Sequence, residues 1–210
     1  MVARAEKRVT EEDARVWVVT RFGEPAARRL DQFGALVIAE NSKQNLIAPA
    51  TVVQTWSRHL LDSAQLLALS DGLGDWLDIG SGAGFPGMVI ALLSNHRVTL
   101  VEPRARRVEF LIAAASELGL EHVRVVKGRV ESLPAHAFSV ISARAVASLE
   151  DLLDMTRHLR DARTRLVLPR GRGAAVEIDL ARSRWQGMFH VEHSLTDPES
   201  LIVIADGVSV

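Results

Sequence analysis

The sequence predicts an α/β chain: a mostly parallel sheet that ends in a C-terminal antiparallel strand pair and is preceded by a helical N-terminal segment. Three observations carry this. A short apolar strand, Trp76-Leu77-Asp78-Ile79, runs into a glycine-dense turn, Gly80-Ser81-Gly82-Ala83-Gly84, and a helical apolar pattern follows at Met88, Val89, Ala91 and Leu92. A second strand, Val98-Thr99-Leu100-Val101, ends in an acid, Glu102, about 20 residues beyond the turn. From Asp75 onward strands and helices alternate, as in parallel sheets covered on both faces.

Element by element, Thr10 with Asp13 reads as a capping pair for a first helix that carries Ala14, Val16, Trp17, Val18 and Val19. Gly23 ends it, and Pro25 opens a second helix with Leu30, Phe33, Leu36, Val37 and Ile38 on an apolar face. Asn41 to Pro49 reads as a loop, and a third helix is expected from Val52 to Leu69. Residues 1–70 therefore form a helical segment packing on a sheet domain over 71–210. In that domain strands are expected at 76–79, 98–102, 123–126, 138–142 and 165–168, with helices at 86–94, 104–118, 148–159 and 173–184. Ser148 and Asp151 form a second capping pair. Two last strands, 187–194 and 200–205, flank the turn signal Thr196-Asp197-Pro198.

Composition removes several function classes. The formal net charge is −1, so no global field draws the chain toward nucleic acid. Nearly all positive charge is Arg; the lysines are Lys7, Lys43 and Lys127. Arg makes planar bidentate contacts with phosphate or guanine, although a GC-rich genome gives the same ratio. There is no Cys, hence no disulfide, no thiolate nucleophile and no Cys-based metal site. Met1 to Thr10 is charged, without the apolar stretch of a secretion signal, and no apolar run reaches membrane-spanning length. A cytoplasmic protein without membrane or metal partners is expected. His190 and His193 alternate on a strand with no further ligands, so no metal site is expected there.

A strand, a glycine loop and a helix N-terminus make a nucleotide-type pocket. Gly82 to Gly87 fits the dinucleotide pattern G-x-G-x-x-G by letter, but its frame is displaced from the strand. From Gly80, which follows the strand directly, the pattern is G-x-G-x-G, with Asp78 two residues ahead. This resembles motif I of class I S-adenosylmethionine-dependent methyltransferases, whose sheet is Rossmann-like. Such a ligand has no pyrophosphate and needs glycines for close approach. Glu102 stands where a carboxylate holds ribose hydroxyls.

Ligands of open α/β sheets bind beyond the carboxyl ends of the strands. The residues there are Gly80 to Phe85, Glu102, Gly128 to Glu131, Ser142 to Arg144, and Pro169 to Gly171. Val130 is placed to pack on adenine, and Glu131 to bond its amine or merely to start a helix. Arg144 follows a buried strand and so faces a cleft, either to hold an anion or guanine edge or to brace the loop. Arg58, His59, Asp62 and Ser63 lie along one helix, where a hydrolytic triad is hard to build; they are expected to support the substrate cleft. Arg104, Arg106 and Arg107, and the run Arg157, Arg160, Arg163 and Arg165, read as solvated faces, or as an RNA-contacting surface if they ring the cleft. The residues after the fourth strand, Ser142-Ala143-Arg144-Ala145, lack the Asn/Asp-Pro-Pro-Tyr/Phe loop used on exocyclic amines, and the C5 route needs a Cys. Guanine N7 has a free lone pair and no proton to remove, so its methylation needs placement only.

Asn45-Leu46-Ile47, Arg58-His59-Leu60-Leu61-Asp62-Ser63, Leu77 to Gly87 and Val140-Ile141-Ser142-Ala143-Arg144-Ala145 together closely resemble the RsmG (GidB) family, over about Asn41 to Gly171. The resemblance implies N7 methylation of one guanine in the 530 loop of bacterial 16S ribosomal RNA in the small subunit, with S-adenosylmethionine as cofactor. It implies cofactor contacts at Gly80, Phe85, Val130, Glu131 and Arg144, added to Asp78, Gly82, Gly84 and Glu102 of the motif. Substrate contacts are expected at Arg58, His59, Asp62 and Ser63, and catalytic positions at Arg144 and Arg170. The chain departs from the family pattern in two places. Glu102 stands where Asp is frequent, and Leu168-Pro169-Arg170-Gly171 replaces Leu-Lys-Gly, so that Arg170 keeps the charge on an altered backbone. The competing classes are a nicotinamide oxidoreductase on a Rossmann sheet and a non-catalytic ribosome assembly factor with a vestigial pocket.

Overall fold

A computed structural model describes residues 9–209, apart from residues 71 and 73; the charged stretch 1–8 lies outside the described residues. Helices α1 (Glu11–Phe22) and α2 (Glu24–Gln44) come first. Thr10 and Asp13 form the expected capping box, and Gly23, at φ +85°, separates the two helices. The loop expected from Asn41 begins later. α2 runs on to Gln44 because Asn41 stays helical and uses its side-chain oxygen to accept from the Ile47 N–H, while Asn45 ends the helix in a left-handed conformation.

The third helix is not regular. Residues 49–69 pass through a 3₁₀ turn (Pro49–Gln54), a widened π turn (Trp56–Leu61), the short α3 (Asp62–Ala64) and a second 3₁₀ turn (Gln65–Leu69). The Glu11 carboxylate accepts from the backbone N–H groups of Trp56 and Ser57, both at 2.8 Å, and so caps the π turn from another helix. π turns inside helices often mark functional sites. This one carries Arg58 and His59.

The sheet holds β1 (Asp75–Ile79), β2 (Arg97–Glu102), β3 (Val123–Lys127), β4 (Val140–Ala143), β5 (Arg165–Arg170), β6 (Gln186–His193) and β7 (Leu201–Ser209), in the order β3-β2-β1-β4-β5-β7-β6. β1 to β5 are parallel, and β7 inserts antiparallel between β5 and β6. β1, β4 and most of β2, β5 and β7 are buried, largely apolar runs because helices cover both faces there, whereas the edge strands β3 and β6 are more exposed. On one face α1 and α2 pack with α4 (Gly87–Leu93) and α5 (Ala105–Glu117) through Val18, Leu30, Phe33, Met88 and Leu111. On the other, α6 (Leu149–Met155) and α7 (Ala174–Arg182) pack through Leu149, Leu152, Ile178 and Ile141.

β5 extends through Pro169 and Arg170, which were expected just beyond it. Pro169 is tolerated there because β4 pairs with β5 only as far as Val167, so β5 has a free edge beyond it, while β7 still pairs across Pro169 at Ile202. The arginine run is only partly a solvated face. Arg165 forms a two-pronged pair with Asp206, and Arg160 donates to the carbonyls of Val208 and Leu153. Strand order reverses at β1, between β2 and β4, so the crevice beyond the carboxyl ends of these strands is where a ligand is expected.

Candidate functional site: two clefts that meet at one loop

The glycine turn is held from below and from the side. Gly80, Gly82 and Gly84 all have positive φ, at +65°, +56° and +95°. A Cβ on Gly84 would lie 2.9 Å from Phe33 and 2.7 Å from Met88, so that glycine lets α2 close on the loop. Asp78 is fully buried beneath the turn. Its carboxylate accepts from the Ser142 hydroxyl at 2.8 Å and from the Gly87 N–H at 3.2 Å, and Ser142 in turn accepts from the Trp76 indole at 2.8 Å. Burial pushes the Asp78 pKa up to about 6, against the opposing pull of these donors. Glu102 is 2 % exposed and accepts from the N–H groups of Gly82 and Arg104, each at 2.9 Å. One carboxylate thus fixes the distance between the loop and the end of β2.

Beside this turn lies a cleft of about 460 Å³ lined by Ile79, Gly80, Glu102, Arg104, Arg107, Arg129, Val130, Glu131 and the segment Ala145–Ala147. Val130 is buried, while Glu131 is half-exposed and lies 3.6 Å from Arg129. Val146 closes over the turn, 2.6 Å from where a Cβ on Gly80 would sit. Gly80, Glu102, Val130 and Glu131 therefore share one wall. Asp78, Gly82, Gly84 and Phe85 are not among its lining residues. Of the arginine cluster, Arg104 and Arg107 face this cleft, whereas Arg106 donates to the Lys43 carbonyl.

A second cleft, of about 520 Å³, opens on the other side of the same loop. Arg58, His59, Asp62, Arg144, Ala145 and Arg170 line it, together with Thr51, Glu177, Ser194 and Thr196. Ala145 lines both clefts, and its φ of +54° is unusual for a residue with a Cβ. Arg144 bridges the elements. Its guanidinium donates to the Arg58 carbonyl and to Asp62, both at 3.3 Å, and lies 3.4 Å from His59 Nδ1 and 5.4 Å over the Phe85 ring. It is thus both a brace and a cleft wall. His59 stacks on Phe85 and is within 2.9 Å of the Thr51 hydroxyl. Burial, aided by the charges of Arg144 and Arg58, lowers its pKa to about 4, so the ring is neutral.

Asp62 accepts from the Thr196 hydroxyl at 2.9 Å and from Gln65 at 3.0 Å, and Arg58 pairs with Asp197 at 2.9 Å. These bonds pin the distorted helix to the β6–β7 turn. Arg58, His59, Asp62 and Ser63 form no hydrolytic triad. Ser63 is buried, and its hydroxyl donates back to the His59 carbonyl at 2.6 Å, away from the cleft. Arg170 is 7 % exposed at its side chain and donates to the Ala147 carbonyl at 2.6 Å; desolvation lowers its pKa. Thr51, Glu177, Ser194, Thr196 and the Ala145–Ala147 segment were not read from the sequence as site residues. The Ala145 backbone has no letter-level signal, and the rest come together only through the chain's tertiary path. A further concavity of about 580 Å³ lies around Asp75, Arg97 and His136, at the opposite ends of the strands. Among the described residues there is no group of three or more metal-ligating side chains, and no helix long and apolar enough to cross a membrane.

The model of the family described as GidB, rRNA small subunit methyltransferase G, matches residues 26–198. The chain belongs to this family. A ribosomal RNA small subunit methyltransferase G from Sphingopyxis alaskensis is 44 % identical over 210 residues, covering 98 % of this chain and 90 % of that one. Its counterpart from Novosphingobium aromaticivorans is 45 % identical over 202 residues, covering 93 % and 88 %. Among solved structures, an S-adenosylmethionine complex of MtNAS superposes with a TM-score of 0.59 at 15 % identity, over 95 % of this chain and 84 % of that one. A SAM-dependent methyltransferase from Aquifex aeolicus gives a TM-score of 0.58 at 14 % identity, over 84 % and 98 %. These two share the fold: a Rossmann-like methyltransferase sheet.

Proposed function

We propose that this chain transfers the methyl group of S-adenosylmethionine to N7 of a guanine in the 530 loop of 16S ribosomal RNA, acting in the cytoplasm on the small subunit or its RNA. The observation that carries this is the meeting of two unlike clefts at Ala145, one walled by Gly80 and Glu102, the other by Arg58, Arg144 and Arg170. The first suits the cofactor. Gly80 offers bare backbone, Glu102 a buried carboxylate for ribose hydroxyls, Val130 an apolar face for adenine and Glu131 an acceptor for its amine. When bound, S-adenosylmethionine supplies an electrophilic methyl on its sulfonium. Asp78, Gly82, Gly84 and Phe85 shape this wall from behind: Asp78 ties the turn to α4, and Phe85 seats His59 and Arg144.

The second cleft suits the RNA. Guanine N7 carries an in-plane lone pair and no proton, so the residues around it need only orient the base. His59 is a poor general base: its pKa is lowered to about 4, and its ring nitrogens are engaged by Thr51 and Arg144. Arg144 touches both the RNA side and the loop that joins the clefts, and thereby sets their spacing. Arg58, held by Asp197, stands at the rim to meet phosphate. Ser63 supports this wall from within and does not touch RNA.

The test is methyl incorporation from labelled cofactor into unmethylated 30S particles, protein-free 16S RNA and a scrambled RNA of equal length. Incorporation into a ribosomal RNA alone is expected. Equal rates on all three would overturn the reading. A nicotinamide enzyme would instead show thermal stabilisation by NAD and none by S-adenosylhomocysteine.

A further inference from the structure

Arg170 is the last residue of β5 and lines the second cleft beside Arg144 and Ala145. One edge of its guanidinium is engaged: Nη1 donates to the Ala147 carbonyl at 2.6 Å and lies 3.8 Å from Glu177. The other edge is bare. Nε and Nη2 are buried with no hydrogen-bond partner among the described residues, and the side chain is only 7 % exposed. Leaving two charged donors unpaired and covered at such a position is costly, and an acceptor that entered the cleft and displaced what covers them would relieve that cost.

The geometry points to Arg170 as the residue that reads the O6 oxygen of the target guanine, an inference that rests on the function proposed above. Guanine presents O6 and N7 side by side on one edge. A methyl acceptor must keep its N7 lone pair free, so a donor on that edge has O6 as its only partner. Adenine places an amino group there, and two donors would face one another. Arg170 thus explains how an enzyme that needs no general base selects guanine. A phosphate is the poorer match. Arg170 is buried, whereas RNA phosphates stay at a cleft mouth, and Glu177 at 3.8 Å offsets the guanidinium charge and would repel an anion. A neutral carbonyl oxygen meets no such repulsion.

The experiment pairs a change in the enzyme with a change in the base. Single-turnover transfer is measured for wild type and Arg170→Met on ligated 16S RNA carrying either guanine or 2-aminopurine at the target; 2-aminopurine keeps N7 and lacks O6. Wild type should lose at least ~10-fold on 2-aminopurine, the scale of one buried hydrogen bond to a charged donor, and Arg170→Met should be indifferent to the change. An equal loss in both enzymes overturns the inference. Should Arg170→Met fail to bind S-adenosylhomocysteine, Arg170→Lys replaces it. A Lys lacks the planar fork and should be at least ~3-fold less sensitive to O6 than wild type, and equal sensitivity overturns the inference. The salt dependence of RNA binding identifies the alternative acceptor. A lost phosphate contact lowers the log–log slope by about 0.7 to 0.9, whereas an O6 contact leaves it unchanged. A wild type that methylates no ribosomal RNA would defeat the function itself; a wild type that methylates guanine while the two enzymes respond alike defeats only this assignment.

Discussion

Asp78 makes the turn depend on pH in a direction opposite to most carboxylates. It is fully buried, and its pKa is raised from 3.8 to about 6, first by burial, with Ser142 and Gly87 pulling the other way. Below pH 3.8 both folded and unfolded chains hold the proton. As pH rises from 3.8 to about 6, the unfolded chain releases it and the folded chain retains it. The stability contributed by Asp78 is therefore full below its unfolded pKa and is lost as pH rises through the folded one. A shift of roughly 2 units at 1.36 kcal/mol each gives about 3 kcal/mol across this window. Asp78→Asn removes the titration but keeps an acceptor for one of the two donors. Its own cost is independent of pH, so the slope carries the test. Urea unfolding of both proteins between pH 4 and 8 should show wild type losing up to about 3 kcal/mol relative to the variant by pH 7, then no further change. Parallel stability curves would refute the reasoning.

Glu102→Gln leaves one carbonyl oxygen for two backbone donors and removes the charge proposed to hold ribose; calorimetry should show S-adenosylhomocysteine binding at least ~10-fold weaker, about 1.4 kcal/mol, in a folded protein. Gly87→Ala puts a methyl 2.2 Å from Leu100 and 2.9 Å from Asp78, both buried, so a thermal melt should register a loss of about 1–3 kcal/mol, and an unchanged melting temperature would contradict that packing. His59, lowered to about 4, should stay neutral in an NMR titration down to about pH 5, and the transfer rate should show no inflection near 6.5. Because its folded pKa is depressed, the fold should lose stability as pH falls from 6.5 toward 4.

The sheet was legible because it is written in local signals. Continuous apolar runs, the turn after Ile79, the acid at Glu102 and two capping pairs are all read within a few residues. The 49–69 stretch was legible as helical but not in its path, because its π turn is fixed by Glu11 from another helix. The glycines carried the right position with only part of the reason. Gly84 is small for Phe33 and Met88, contacts set by how α2 docks. Arg144 was readable from its place after β4, whereas its bonds to Arg58, His59 and Asp62 join segments more than 80 residues apart. Ser63 was expected to contact substrate, but it is buried and its hydroxyl turns back to the His59 carbonyl. Arg170 was recognised as a charge, but its unpaired edge belongs to the fold alone.

The most direct test of the whole account is the identity of the modified atom. Small subunits lacking the modification are incubated with the protein and labelled S-adenosylmethionine, and the 16S RNA is then reduced and cleaved with aniline, which breaks the chain at N7-methylguanine. One cleavage at a guanine within the 530 loop, dependent on enzyme and cofactor, is the predicted result. Label incorporated without cleavage there, or cleavage at many guanines, would contradict it.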